Sequence, residues 1–113
     1  MKIVAGMDGT ERIIRITDDP PENSCKPSVD YLFRSIAQHY VGRSAGVIMT
    51  GMGSDGYSGL SLMKRNGATI IAQDEASCIV YGMPKKPIEN GIVDIVAPLD
   101  QIASEICNVV KGT

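Results

Sequence analysis

The sequence predicts a layered α/β fold with a mostly parallel sheet, preceded by an N-terminal β-hairpin. Three observations carry this. From Ser28 onward, segments with helical periodicity alternate with short apolar runs, the pattern of βα units. The runs Val47–Thr50 and Thr69–Gln73 are continuously apolar at their centres, as in strands buried on both faces. Near the N-terminus, Asp8-Gly9 lies between two apolar arms, a tight-turn signal because a type I′ turn needs φ > 0.

The hairpin covers Met1–Thr17, with Ile3 and Val4 on one arm and Ile13, Ile14 and Ile16 on the other. Asp18–Pro27 is a loop, since Pro20, Pro21 and Pro27 remove backbone donors and fix φ. Val29, Leu32, Phe33, Ile36, Ala37 and Tyr40 recur at helical spacing and predict a helix over Val29–Val41. Ser28 is its N-cap, Asp30 suits the positive end of its dipole, and Gly42 terminates it. Val47–Thr50 is the next strand, ended by the glycine-rich turn Gly51–Gly56. A helix over Tyr57–Asn66 turns Leu60 and Met63 inward and stops at Gly67. Thr69–Gln73 is a buried strand, and Asp74–Tyr81 is ambiguous, with a short helix as one reading. Gly82-Met83-Pro84 is a turn, Pro87–Asn90 a single helical turn and Ile92–Val96 a strand. Pro98 opens the last helix as an N1 residue. Leu99, Ile102, Ala103, Ile106, Val109 and Val110 form its apolar face.

Composition narrows the function classes. A chain of 113 residues fits one domain, and 43% hydrophobic with 21% charged residues is globular composition. A net charge of −2 argues against nucleic acid as a main partner. The apolar runs fall far short of the ~20 residues a membrane span needs. With no secretory signal pattern at the start, the expected location is cytoplasmic. Cys25, Cys78 and Cys107 are odd in number and lack metal-ligand spacing, so they read as reduced thiols.

The chemistry-bearing segment is Thr50-Gly51-Met52-Gly53-Ser54-Asp55-Gly56, between a predicted strand and a predicted helix. Ligands of α/β sheets bind outside the carboxyl ends of strands, and N–H groups at a helix start favour negative charge. Gly51, Gly53 and Gly56 satisfy G-x-G-x-x-G, and Asp74 lies where a ribose-binding acid would. Against that reading, the Asp55 carboxylate would face a pyrophosphate, and the chain is short for a dinucleotide fold plus a substrate site. Alternatively Asp55 is itself functional, orienting a histidine beside N–H groups that form an oxyanion hole. The bland reading is that Asp55 N-caps the helix that starts at Tyr57.

Three blocks taken together are more specific than the glycine pattern. Lys26-Pro27-Ser28-Val29-Asp30-Tyr31-Leu32-Phe33-Arg34-Ser35, then Val47 through Gly56, then Ile71-Ala72-Gln73-Asp74-Glu75-Ala76-Ser77-Cys78-Ile79-Val80-Tyr81-Gly82-Met83-Pro84 resemble the catalytic domain of chemotaxis protein-glutamate methylesterases of the CheB type. The resemblance implies a three-layer, doubly wound, Rossmann-like sheet carrying a Ser-His-Asp triad that hydrolyses methyl esters of receptor glutamates and deamidates receptor glutamines in two-component signalling. It maps the triad aspartate onto Asp55 and an oxyanion-binding N–H onto Met52, within a loop shaped by Gly51 and Gly53. By the same resemblance Met52 and Met83 would line the substrate cleft, though either could equally be core filler. No cofactor and no metal is implied, and the partner is the methylated cytoplasmic region of a chemoreceptor.

The family's nucleophile and histidine lie upstream of these blocks, so residues 1–113 read as the C-terminal part of the catalytic domain. Ser54 and Ser58 do not make a G-x-S-x-G elbow. His39 reads as a polar-face residue of its helix, and Cys78 as packed rather than nucleophilic. The expectation is a chain inactive alone whose partner includes the upstream half of the same domain. The alternative is a non-catalytic half-domain that binds nucleotide or protein through the Gly51–Gly56 turn. A sheet cut at Val47–Thr50 would strip Val47, Ile48 and Met49 of cover, which predicts a homodimer or higher oligomer.

Overall fold

A computed structural model describes residues 1–5, 12–15, 28–42 and 44–111. Strands β1 (Lys2–Ala5) and β2 (Arg12–Arg15) form an antiparallel pair. Their register pairs Lys2 with Arg15 and Ala5 with Arg12. The turn itself, Ile16, the loop Asp18–Pro27 and Cys25 lie outside the described residues. The hairpin sits on helix α1 (Val29–His39), where the Ile3 N–H donates to Ser35 Oγ at 2.7 Å.

The main sheet is parallel, in the order β3 (Ala45–Ile48), β4 (Thr69–Gln73) and β5 (Ile95–Ala97). Period-2 alternation sends successive side chains to opposite faces, and each face has its own core. Ile48, Ile70 and Ala72 pack with Ala37 of α1 and with Leu60 and Met63 of helix α2 (Tyr57–Arg65). On the other face, Ile71 and Ala97 meet Ile102 of helix α4 (Ile102–Lys111), with Val47, Ile95, Ile106 and Val109 around them. This is the three-layer α/β arrangement that the alternation of elements predicts.

Several boundaries differ from the sequence reading. The strand expected at Val47–Thr50 runs over Ala45–Ile48, because Thr50 turns its N–H to the Gln73 side chain. Its two faces are covered: Ile48 is buried and Val47 packs beside Ile71, leaving Met49 as the partly exposed member. Asp74–Tyr81 holds turns and no helix, since the Asp74 carboxylate accepts the Ser77 N–H and closes a local turn. Helix α3 spans Lys85–Glu89, earlier than Pro87–Asn90, with Pro87 in its first turn where no N–H is required. Ile92 and Val93 pack against the α1–α2 core instead of pairing, so β5 starts at Ile95. Pro98 precedes a 3₁₀ turn, Leu99–Gln101, that leads into α4. Leu99, Ala103 and Val110 are exposed, and the buried stripe of α4 is Ile102, Ile106 and Val109.

Candidate active-site loop

The loop Thr50–Gly56 leaves the carboxyl end of β3 and is tied to residues 73–83 on its neighbouring side. Gln73, fully buried at the end of β4, accepts the Thr50 N–H through Oε1 at 2.8 Å. Its Nε2 donates to the Ser77 carbonyl at 2.9 Å. Thr50 Oγ1 donates to the Val80 carbonyl and accepts the Val80 N–H, at 3.1 and 2.9 Å. The Gly51 N–H donates to the Val80 carbonyl at 3.1 Å, and the Gly51 carbonyl accepts the Met83 N–H at 2.8 Å. Both polar groups of Gly51 are therefore spent on anchoring the loop. Met83 packs against Gly51 and the α1–α2 core, whereas Met52 projects outward at 82% exposure and fills no core. Among the described residues, the N–H groups of Met52 and Gly53 are donated to no partner.

Asp55 lies at the far end of the loop and is 5% exposed. Its Oδ1 accepts the Ser28 hydroxyl at 2.7 Å and its Oδ2 accepts the Val29 N–H at 2.7 Å. The Asp30 N–H approaches Oδ1 at 3.4 Å and Ser28 Oγ at 3.2 Å. Ser28 is the N-cap of α1, as its position before the apolar stripe predicts. Asp55 thus serves the first turn of α1 and does not cap the helix that follows it. That helix, α2, takes Gly56 as N-cap at φ 101°, with no side-chain cap hydrogen bond. A left-handed residue there bends the chain away so that the Asp55 side chain faces α1. A mostly apolar cavity of about 90 Å³, lined by Met1, Ser28, Val29 and Leu32, opens beside this cluster.

Other candidate groups stand apart. His39 ends α1, about 15 Å along the helix from Asp55's contacts at 1.5 Å per residue. Ser54 and Ser58 are exposed, while Asp74 Oδ1 is engaged by the Ser77 N–H and hydroxyl at 3.0 and 2.6 Å. Burial raises the Cys78 thiol above its ordinary pKa, against a lowering hydrogen bond from Thr50, and Asp74 and Glu75 raise it further. A thiol so placed stays protonated at neutral pH. Among the described residues, no group of three or more His, Cys, Asp or Glu side chains is arranged to hold a metal ion. Nor is any described helix long and apolar enough to cross a membrane.

The family model for CheB methylesterase matches residues 1–106. The chain belongs to the CheB methylesterase family. It is 58% identical over 111 residues to a protein-glutamate methylesterase/protein-glutamine glutaminase of Desulfotalea psychrophila, covering 98% of this chain and 30% of that protein. A relative with the same description from Burkholderia pseudomallei is 50% identical over 104 residues, covering 92% of this chain and 29% of its own length. The crystal structure of the Thermotoga maritima CheB methylesterase catalytic domain superposes with a TM-score of 0.84 at 34% identity, covering 96% of this chain and 57% of that one. The chain therefore spans about 30% of the length of these curated CheB relatives.

Three buried polar groups around the CheB loop carry more than their sequence positions suggest. Ser28 reads as a helix cap, yet its hydroxyl also reaches Asp55, 27 residues away. Asp30 reads as a dipole partner for its own helix, yet its Oδ1 accepts the Gly59 N–H of α2 at 2.7 Å. Gln73 closes an apolar strand run and links two loops. A polar residue ending a run of buried positions was the available signal.

Proposed function

We propose that this chain supplies the carboxylate and the oxyanion-binding loop of a serine hydrolase that demethylates glutamates in the cytoplasmic region of chemoreceptors, with glutamine deamidation as its companion reaction. The observation that carries this reading is Asp55: a carboxylate buried at the carboxyl end of a parallel sheet, both oxygens held by donors, in a CheB-family chain. The reaction class is that of the relatives named protein-glutamate methylesterase/protein-glutamine glutaminase.

In this reading Asp55 fixes the tautomer of a histidine and stabilises its imidazolium. The Met52 N–H binds the oxyanion, with Gly51 and Gly53 shaping the loop and Met83 at the cleft wall. The serine nucleophile and the histidine come from polypeptide other than residues 1–113. The serine oxygen attacks the γ-ester carbonyl and passes its proton to the histidine. The histidine returns that proton to the departing methoxide, which leaves as methanol. Water then hydrolyses the acyl-serine to the free glutamate. No metal or organic cofactor is required. The nucleotide-binding alternative has no comparable support, because Asp74 is committed to Ser77.

The test has two arms. The chain alone should show no turnover above buffer on p-nitrophenyl acetate or on methylated receptor. Turnover abolished by Ser54→Ala or Ser58→Ala would overturn the reading. A hybrid in which this chain replaces the matching segment of the full-length Desulfotalea psychrophila relative should release methanol from methylated receptor. Asp55→Asn in that hybrid should lower kcat by about 10⁴, as in serine proteases.

A further inference from the structure

We propose that Ser28 is a positioning residue for Asp55, and that its role as a helix cap is secondary. The inference rests on reading Asp55 as the carboxylate of the hydrolase site. Ser28 is 2% exposed, and its hydroxyl does two things at once. It accepts the Asp30 N–H at 3.2 Å, which is ordinary N-capping, and donates its proton to Asp55 Oδ1 at 2.7 Å. Capping requires only an acceptor, and Asp or Asn caps as well as Ser. Giving a proton to a carboxylate as well calls for a group that donates and accepts from one atom, which is a hydroxyl.

The geometry explains why two donors are needed. Val29 N–H holds Oδ2 and the Ser28 hydroxyl holds Oδ1, from adjacent residues at one helix start. Together they fix the rotation of the carboxylate about its last side-chain bond. Without the hydroxyl, Oδ1 keeps the longer Asp30 N–H contact at 3.4 Å, and the carboxylate is held less firmly about that bond. A carboxylate that orients a histidine acts only within narrow angular limits, so a pivot costs turnover rather than substrate binding. Asp30, the charged neighbour on α1, directs its carboxylate to Gly59, and its N–H, shared with Ser28 Oγ, stands at 3.4 Å from Oδ1 against 2.7 Å for the hydroxyl.

In the hybrid described above, Ser28→Ala should lower kcat about tenfold with KM unchanged, the size expected for one hydrogen bond to a charged group. Ser28→Thr, which keeps the hydroxyl, should restore kcat to within about twofold. Rates are referred to titrated active sites, so a loss of folded protein is not counted as a loss of turnover. Unchanged kcat in Ser28→Ala, or an equal loss in Ser28→Thr, overturns the inference. The underlying reading fails separately: Asp55→Asn with intact kcat removes the role of Asp55 itself, whereas collapse of Asp55→Asn beside an unaffected Ser28→Ala removes only the role of Ser28. A double-mutant cycle of Ser28→Ala and Asp55→Asn in thermal melts of the 113-residue chain gives an independent check. Coupled effects are expected, and strict additivity overturns the inference whether or not the hybrid folds.

Discussion

Asp30 and Asp55 each cap the helix on which the other depends. Asp55, just before α2, accepts the Val29 N–H of α1 at 2.7 Å, and Asp30, in the first turn of α1, accepts the Gly59 N–H of α2 at 2.7 Å. The two buried carboxylates thus neutralise the positive ends of two helix dipoles crosswise. The helices come very close there: a Cβ added to Gly59 would lie 2.4 Å from the Phe33 Cβ. The position of Asp55 is in this way coupled to the packing of α1 on α2.

Asp30→Ala should accordingly destabilise the chain by about 1–3 kcal/mol, the cost of leaving the buried Gly59 N–H without an acceptor. Asp30→Asn, which keeps an acceptor, should cost less. Urea unfolding of the two variants checks this. Equal midpoints for Asp30→Ala and the parent would mean that the α2 start finds another acceptor.

Gln73→Leu is expected to free the loop from β4. The substitution preserves approximate volume but removes the acceptor of the Thr50 N–H and the donor to Ser77. The part-buried Thr50 N–H then loses its partner, at about 1 kcal/mol. Hydrogen exchange at the Thr50 and Val80 amides should accelerate more than at Ile71 in the centre of the sheet. Uniform acceleration across all three would indicate global destabilisation in place of a released loop.

Asp94 gives a pH signature. Burial pushes its carboxyl up, but hydrogen bonds from Lys64 and from the Ile70 N–H, with the Lys64 charge, outweigh this and leave it below the ordinary value. A carboxylate depressed in the folded state stabilises fully above its unfolded value of ~3.9, and that contribution disappears as pH falls through the folded value. The pair is about a third exposed, so its share stays below about 1 kcal/mol. Asp94→Asn should therefore lower the urea midpoint at pH 7 and lower it less at pH 3. A difference that is constant across this range would remove the electrostatic explanation.

The sequence made some of this plain and hid the rest for physical reasons. Thr69–Gln73 is legible end to end because a central parallel strand must be apolar on both faces. Ser28 is legible as a cap because capping is local. Its bond to Asp55 is not, since nothing in the chain between two residues 27 positions apart encodes that distance. The strand shift to Ala45–Ile48 has a similar cause: Ala45 and Gly46 carry little strand propensity, yet they pair with Thr69 and Ile70. Asp74–Tyr81 resisted assignment because it is held by hydrogen bonds that the Asp74 carboxylate accepts from Ser77 and that Thr50 Oγ1 donates to the Val80 carbonyl, and these leave no periodicity.

Association is the remaining prediction, and the open edges locate it. β3 is bonded to β4 on one side, and among the described residues no strand pairs with its other side. The faces of β3 pack against α2 and α4, and its edge backbone is what stays open. The hairpin adds apolar surface: all of β2 is exposed, with Ile14 at 64%. An unpaired parallel edge and a strand with exposed isoleucines each invite pairing with another chain. A homodimer closing on the β3 edge, the β2 edge or both is expected at micromolar concentration, read by light scattering coupled to size exclusion. Pairing through β3 can be separated from pairing through the hairpin. Val47→Pro removes a backbone donor from β3 and should dissociate a dimer built on that edge. Ile14→Lys places a charge on β2 and should dissociate one built on the hairpin. A folded monomer in the parent chain would show that neither edge associates, and a dimer that survives both substitutions would place the interface elsewhere.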